Sequence, residues 1–322
     1  MFKFLRLAVF AMLPGLLSLP ASAADPYPTR TVKMIVPFGA GGPADVYARV
    51  LAQHLSEATK QSFVIENRPG AGAIVGTDAA AKSAPDGYTL LVMSNTHTTN
   101  ESLIPNKPYE LMRDFVPVAT FNYSDLLMVV HPSVPAKSVK EFIDLAKKEP
   151  GKLNYASSGP GTPYHMAGEL FKAMSKTDIV HIPHKASGDA RNSVLSGNVQ
   201  MMLDAVTTMS ELAKGGQVRA LATTGLKRNP LTPDLPTVAE TVPGYEATIW
   251  LGVMAPKDTP KEVITFLNTT INKVIELPAV KEAWLKQGAI PLVKTPAEFD
   301  AYLRKDIEKW AEVVKVSGAK VQ

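Results

Sequence analysis

The chain of 322 residues contains no cysteine. That excludes disulfides, thiol nucleophiles and thiolate metal sites in one stroke. A chain without disulfides must be held by a hydrophobic core, and about 300 residues are enough for two domains. Charge of one sign is also lacking. Lys and Arg number 34 against 30 Asp and Glu. Two of the basic residues, Lys3 and Arg6, lie in the first 24, which hold no acid, leaving 32 against 30. Acids and bases are interspersed, so the electrostatic footprint of a nucleic-acid binder is missing. Past the N-terminus no apolar run is long enough to cross a bilayer. Pro and Gly are plentiful but dispersed, which argues against a low-complexity chain.

The N-terminus has what the rest lacks. Lys3 and Arg6 precede an apolar stretch from Leu7 to Leu19, and Ala21-Ser22-Ala23 follows. A basic start, a short apolar core and a small-x-small ending form a secretory signal peptide. A membrane anchor is the rival, but the run is short and holds Pro14 and Gly15. Residues 1–24 are therefore expected to be removed, with export to the periplasm.

Beyond it, strand, loop and helix recur. Apolar β-rich runs fall at Thr31–Val36, Ser62–Glu66, Thr89–Met93, Leu126–Val130, Ile179–His181, Val199–Leu203 and Val218–Ala222. Helix-like stretches fall at Ala44–Ala58, Ser138–Lys148 and Pro163–Lys176. This alternation predicts an α/β fold with mostly parallel sheets covered by helices. Ser138 before Glu141 and Thr208 before Glu211 fit capping boxes. A turn-like Asn122-Tyr123-Ser124-Asp125 and an irregular stretch from Pro230 to Tyr245 predict two crossings between lobes. Lobe 1 is then 25–122 with 246–322, lobe 2 is 123–245, and the C-terminal helices pack on lobe 1.

Two loops carry the functional signal. Phe38-Gly39-Ala40-Gly41-Gly42-Pro43 joins a strand to a helix, with Asp45 in its first turn. Glycines let backbone N–H groups face an anion, and a helix N-terminus favours one. Gly39, Gly41 and Ala44, with Glu66 ending the next strand, also fit a dinucleotide fingerprint. Export away from nicotinamide cofactors and the charge of Asp45 argue against that. The second loop, Ser157-Ser158-Gly159-Pro160-Gly161-Thr162, also lies between a strand and a helix. The hydroxyls of its Ser157, Ser158 and Thr162 can donate to a carboxylate and Gly161 joins them in the expected site, although Thr162 also suits a plain N-cap. In facing lobes, the two helix starts would hold a ligand with anionic ends.

Four further features remain. Ser94 opens the polar run Ser94–Asn100, either a ligand contact or a solvated loop. Asp204 ends an apolar strand, where a carboxylate would orient a ligand hydroxyl or amine or hold a loop. His165, His181 and His184 could converge, but their spacing is not that of a zinc helix. No G-x-S-x-G elbow exposes a serine, so a hydrolase is disfavoured. His184 is taken as a ligand contact. No cofactor or metal is expected.

The ordered blocks are similar to one family. Tyr27-Pro28-Thr29-Arg30 leads to Ile35-Val36-Pro37-Phe38, Gly41-Gly42 and Asp45. Glu66-Asn67-Arg68-Pro69-Gly70 and Pro85-Asp86-Gly87-Tyr88 come next, then Ser157-Ser158-Gly159, Arg219-Ala220-Leu221-Ala222, Trp250 and Thr295-Pro296. The chain resembles the tripartite tricarboxylate transporter receptors, the Bug family, over nearly its whole mature length. The resemblance implies a type II periplasmic-binding-protein fold and no enzymatic activity. It implies a small carboxylate ligand: a di- or tricarboxylate, an acidic amino acid or an aromatic acid. It implies a membrane carrier of one large and one small integral subunit as partner; the receptor itself is expected to be a monomer. It also implies that Phe38 to Gly42 and Ser158 to Thr162 hold ligand carboxylates. Where the family reads Val-Pro-Tyr-Lys-Gly, this chain has Ile182-Pro183-His184-Lys185-Ala186, a departure that would make binding respond to pH. A sensor for a membrane kinase and an exported enzyme acting on a small acid are the rival readings.

Overall fold

The computed structural model describes residues 27–184 and 187–319. The expected signal segment lies outside the described residues. The first part of the chain runs β1 (Val32–Val36), α1 (Pro43–Thr59), β2 (Phe63–Asn67), α2 (Ile74–Ala81), β3 (Thr89–Ser94), α3 (Asn95–Leu103) and the single turn α4 (Leu111–Asp114). A 16-residue strand, β4 (Phe115–Val130), follows. Next come α5 (Val139–Lys148), β5 (Asn154–Ser157), α6 (Pro163–Ser175), β6 (Val180–Pro183), α7 (Ser187–Leu195), β7 (Met201–Ala205), α8 (Val206–Lys214) and β8 (Arg219–Thr223). The chain ends with β9 (Thr248–Pro256), α9 (Lys261–Ile275), α10 (Pro278–Leu285), β10 (Ala289–Pro291) and α11 (Pro296–Ser317).

Local chemistry explains these elements. In α1, Pro43 sits in the first turn and Ala48, Leu51, Ala52 and Leu55 are buried at helical spacing. Lys60 closes it in the left-handed region, its N–H donating to the Ser56 carbonyl. Ser138 caps α5 by accepting from the Glu141 N–H, but the Glu141 carboxylate accepts from Lys137 rather than from the cap residue. Thr208 does not cap α8: the helix begins at Val206, so Thr208 lies inside its first turn.

The strands form two sheets joined along one path, β2-β1-β3-β9-β4-β7-β5-β6, with β10 and β8 also on β4. The outer strands pair in parallel, β2 and β3 on β1 and β6 and β7 on β5. Every pair made by β4 or β9 is antiparallel. β4 belongs to both sheets. Up to Asp125, opposite Thr248, it pairs with β9, and from Leu126, opposite Ala205, it pairs with β7. The expected turn at Asn122–Asp125 is therefore extended strand. Its polar residues reflect where the strand passes a cleft, not a chain reversal.

Each sheet has its own core. Val32, Met34, Leu51, Leu90, Val253 and Trp284 pack on one; Met128, Phe142, Tyr155, Phe171, Met201 and Leu203 pack on the other. The last helix differs from the expectation that it serves one lobe. Phe299 and Leu303 of α11 pack with Trp250, Ile35 and Leu91 in a separate cluster on the first sheet, whereas Trp310 and Val313 pack on the second core. A 22-residue helix, about 33 Å at 1.5 Å per residue, is long enough to reach both. Asp306, between those pairs, accepts from the Thr98 hydroxyl (2.6 Å) and from the Trp250 indole (3.2 Å), tying α11 to α3 and β9.

Candidate functional site

Three chambers open between the sheets, and Tyr164 lines all of them. The central chamber is bounded by Phe38, Gly39, Ala40 and Gly42 from the first loop, Ser94 and Thr96 from α3 and its cap, and Asn122 and Ser124 from β4. Pro163 and Tyr164 close it from the other lobe. A second chamber runs past Gly41 and Ser124 to Ser187, Arg191 and Thr207. A third holds Ser158, Gly161 and Thr162 opposite Phe38, Thr96 and Asn100. The two loops singled out in the sequence thus face one cleft.

The loops are built alike. Gly41 and Gly161 both have φ +76°, a left-handed conformation that glycine adopts without strain. The Gly42 N–H reaches back to the Gly39 carbonyl (3.3 Å) and the Thr162 N–H to the Gly159 carbonyl (3.4 Å). A proline at the first helical position follows in each. The opening N–H groups of α1 and α6 have no carbonyl of their own helix to bond. Together with the helix dipoles, they bias the cleft towards a bound anion.

Behind the first loop, Asp45 is buried and accepts from the Gly41 N–H (2.8 Å), Arg49 Nε (3.0 Å) and Asn67 Nδ2 (2.9 Å). Burial alone would raise its pKa. The hydrogen bonds from Arg49, Gly41 and Asn67 outweigh burial and hold the carboxyl below its ordinary range. The sequence reading placed Asp45 against the ligand. The structure corrects this: its oxygens are occupied by the protein, and its work is to brace Gly41. Asn67 also donates to the Phe38 carbonyl (3.2 Å). The Phe38 ring meets His97 edge-on, with centroids 5.9 Å apart.

His97 is fully buried, and desolvation pushes it down to about 4, so the imidazole is neutral. Its Nδ1 accepts from the Ser94 N–H, which leaves the proton on Nε2, facing the Thr77 hydroxyl (3.0 Å). Thr77 in turn donates to the Ala73 carbonyl. The run from Ser94 is consequently helix α3 with Ser94 as its cap, not a solvated loop. Ser94 borders the central chamber while capping.

Behind the second loop, the Gly161 N–H donates to His165 Nδ1 (3.0 Å). Thr162 caps α6, its hydroxyl donating to the Gly159 carbonyl and accepting from the His165 N–H. His165 stacks on His181 with centroids 4.0 Å apart, and His181 on Tyr155 at 4.8 Å. Desolvation by burial lowers both imidazoles, His181 to about 3. His181 Nε2 lies 2.6 Å from the Ser157 hydroxyl. Ser157 is fully buried beneath the loop, so this contact supports the turn and cannot meet a ligand. No group of His and acidic residues among the described residues could hold a metal ion.

Two other expected contacts are corrected. His184 lines none of the three chambers, and its Nδ1 lies 3.0 Å from the Ile182 carbonyl; it is near enough to His181 to act on it electrostatically but is not part of the ring stack. Asp204 is fully buried and accepts from Arg191 Nε (2.5 Å) and from the Ala205 N–H (2.7 Å). It holds an arginine rather than a ligand hydroxyl. The sequence reading missed Tyr164, Arg191, Asn122 and Ser124. Tyr164 had a signal, following Pro163 directly in the second loop. Arg191 had none, because only the fold brings α7 to the cleft.

Two lobes on a shared pair of central strands, with helix N-termini facing across a cleft, define a solute-binding protein. Comparison with known proteins agrees. The profile of the tripartite tricarboxylate transporter family receptor matches residues 47–319. Protein BugT of Bordetella pertussis is 39% identical over 303 residues, covering 93% of each chain. A solved R. palustris protein with adipate superposes with a TM-score of 0.79 at 35% identity, over 91% of this chain and 99% of that one. MatC of Rhodopseudomonas palustris, with bound malate, gives 0.75 at 29% identity, over 89% and 100%. The chain belongs to the tripartite tricarboxylate transporter receptor family, whose members are substrate-binding receptors and not enzymes.

Proposed function

We propose that this protein binds a small carboxylate between its two glycine loops and delivers it to the integral-membrane subunits of a tripartite tricarboxylate-type carrier. One observation supports the reading above the rest. Phe38, Gly39, Ala40 and Gly42, before α1, and Pro163 and Tyr164, at the start of α6, line the same chamber from opposite lobes. A carboxylate there meets two positive helix ends at once. Adipate in the R. palustris relative and malate in MatC are carboxylates, which favours the same class here.

Closure belongs to the same proposal. We assign lobe 1 to 25–122 with 246–322 and lobe 2 to 123–245, so that β4 and the chain entering β9 bend as a hinge. Binding then stabilises the closed form through contacts that exist only when both loops touch the ligand. The receptor acts as a monomer in the periplasm after cleavage near Ala23. N-terminal sequencing of periplasmic protein would begin close to Ala24 or Asp25. The ligand class is tested by thermal shift against dicarboxylates, tricarboxylates, acidic amino acids, aromatic acids, sugars and metals. A ligand at a hundred times its Kd stabilises the fold by about 2.7 kcal/mol. Stabilisation by sugars or metals with none by carboxylates would overturn the reading.

A further inference from the structure

Arg191 is the one cation among the described residues lining the three chambers. It projects from α7 into the second chamber, a cavity of about 340 Å³ that also touches Gly41, Ser124 and Tyr164. Its side chain is 27% exposed, whereas its partner Asp204 is wholly buried. Asp204 engages Nε, on the flank of the guanidinium, and is itself fixed by the Ala205 N–H. Among the described residues no hydrogen bond occupies the two Nη groups of the terminal fork, and the residue lines the chamber. That fork matches a carboxylate in two parallel hydrogen bonds, which a lysine could not reproduce.

The neighbours suit an anion at this point. Ser187 and Thr207 bring hydroxyls to the same chamber. Tyr164 adds a phenol that burial, then the negative charge of Asp204 and a hydrogen bond to it, raises well above its ordinary pKa, so it stays neutral, brings no negative charge to the chamber and helps to fix Asp204. Asp125 also borders the chamber, yet its carboxyl is turned aside. Oδ2 accepts from Asn229 (2.8 Å), and Oδ1 is buried against Gly225. The central and second chambers share Ser124, Ile249 and Tyr164, so one ligand can extend from the glycine loops to Arg191.

We infer that Arg191, held by the buried carboxylate of Asp204, is a second anchor that selects acids carrying a second carboxylate at the far end from the glycine loops. The inference rests on the solute-binding reading above and deepens it. One carboxylate lies between the helix starts, and the other meets the Arg191 fork. Monocarboxylates of equal length fill the first position and leave the fork hydrated.

The test is calorimetric titration with linear dicarboxylates from butanedioate to nonanedioate, each beside the monocarboxylate of the same length. In the native protein the best dicarboxylate should bind at least tenfold tighter than its monocarboxylate. In Arg191→Met the ratio should collapse to within twofold of one. That variant strands a buried Asp204 charge and could fail to fold, so Arg191→Met/Asp204→Asn, which removes both charges, is measured beside it. Arg191→Lys keeps the charge without the fork and should give an intermediate ratio. A native protein indifferent to the second carboxylate, or folded variants that keep the tenfold preference, would overturn the role of Arg191 while leaving solute binding intact. No binding of either acid class would instead overturn the solute-binding reading and this inference with it.

Discussion

The loop of lobe 1 and the loop of lobe 2 reach the same backbone by different chemistry. Each has a glycine at φ +76°, a proline opening its helix, and a side chain four residues on that accepts the glycine N–H. In lobe 1 that acceptor is a carboxylate, Asp45, satisfied by Arg49 and Asn67. In lobe 2 it is a neutral imidazole, His165, stacked on His181. α1 and α6 even end alike, at left-handed Lys60 and Lys176. The comparison teaches that the turn is the requirement and its brace is negotiable. A charged brace demands charged partners, and a neutral ring demands stacking.

The strongest way to break this parallel is to delete the braces. Asp45→Ala leaves Gly41, Arg49 and Asn67 without their shared acceptor and should destabilise the protein by about 3 kcal/mol. His165→Ala strands one N–H and should cost less, about 2 kcal/mol. Urea denaturation of both variants measures the order, and equal or reversed losses would show that the braces are not matched as described. Next comes the turn itself. A Cβ on Gly41 would meet nothing within 4 Å, so Gly41→Val does not clash at Cβ. Its cost is the left-handed backbone, about 1–2 kcal/mol, which should appear as roughly tenfold weaker carboxylate binding. Gly161→Val should do the same, and calorimetry that shows only one of them to matter would break the symmetry.

Smaller effects sharpen the contrast. Thr162 caps α6 through its side chain, whereas Gly42 has none to offer α1. Thr162→Ala should therefore cost about 1 kcal/mol in a thermal melt, with no counterpart in lobe 1. Acid should separate the lobes further. The folded pKa values of His165 and His181 lie below the unfolded value of 6.5. Their stability is full above about 6.5 and is lost as pH falls through the lowered folded values. Between pH 7 and pH 6 keeping the His181 imidazole neutral should cost about 0.7 kcal/mol, and His165 acts in the same direction. Asp45 is also lowered, but from the carboxylate range, so its contribution persists through this window and fails only in stronger acid. Hydrogen exchange should then show residues 157–165 loosening before residues 39–45. Simultaneous loosening would mean that the histidine stack does not carry the second loop.

Much of this was legible in one dimension. Strand and helix alternation, both glycine loops and the Thr162 cap follow from spacing and from backbone preferences that act within a few residues. The errors share a cause. Asn122 and Ser124 read as a turn because polar residues in an apolar strand signal a break, whereas here they face a cleft. Asp45, Asp204 and His184 read as ligand contacts because a polar residue beside a loop shows its type and not its partner. Arg191 stands 13 residues before Asp204 in sequence and carries no local mark, although the buried pair sets the chemistry of a whole chamber.

By itself the sequence determined which segments become helices and strands, where two helix starts follow glycine loops, and to which family the chain belongs. Those depend on local sterics, short-period patterning and ordered blocks. The tertiary structure alone decided which polar atoms remain free. A hydrogen bond is spent or available only once the fold has placed its partner. β4 and β9 had to align the two sheets before Tyr164 stood between the loops, Asp45 and His165 turned inward as braces, and Arg191 reached the cleft.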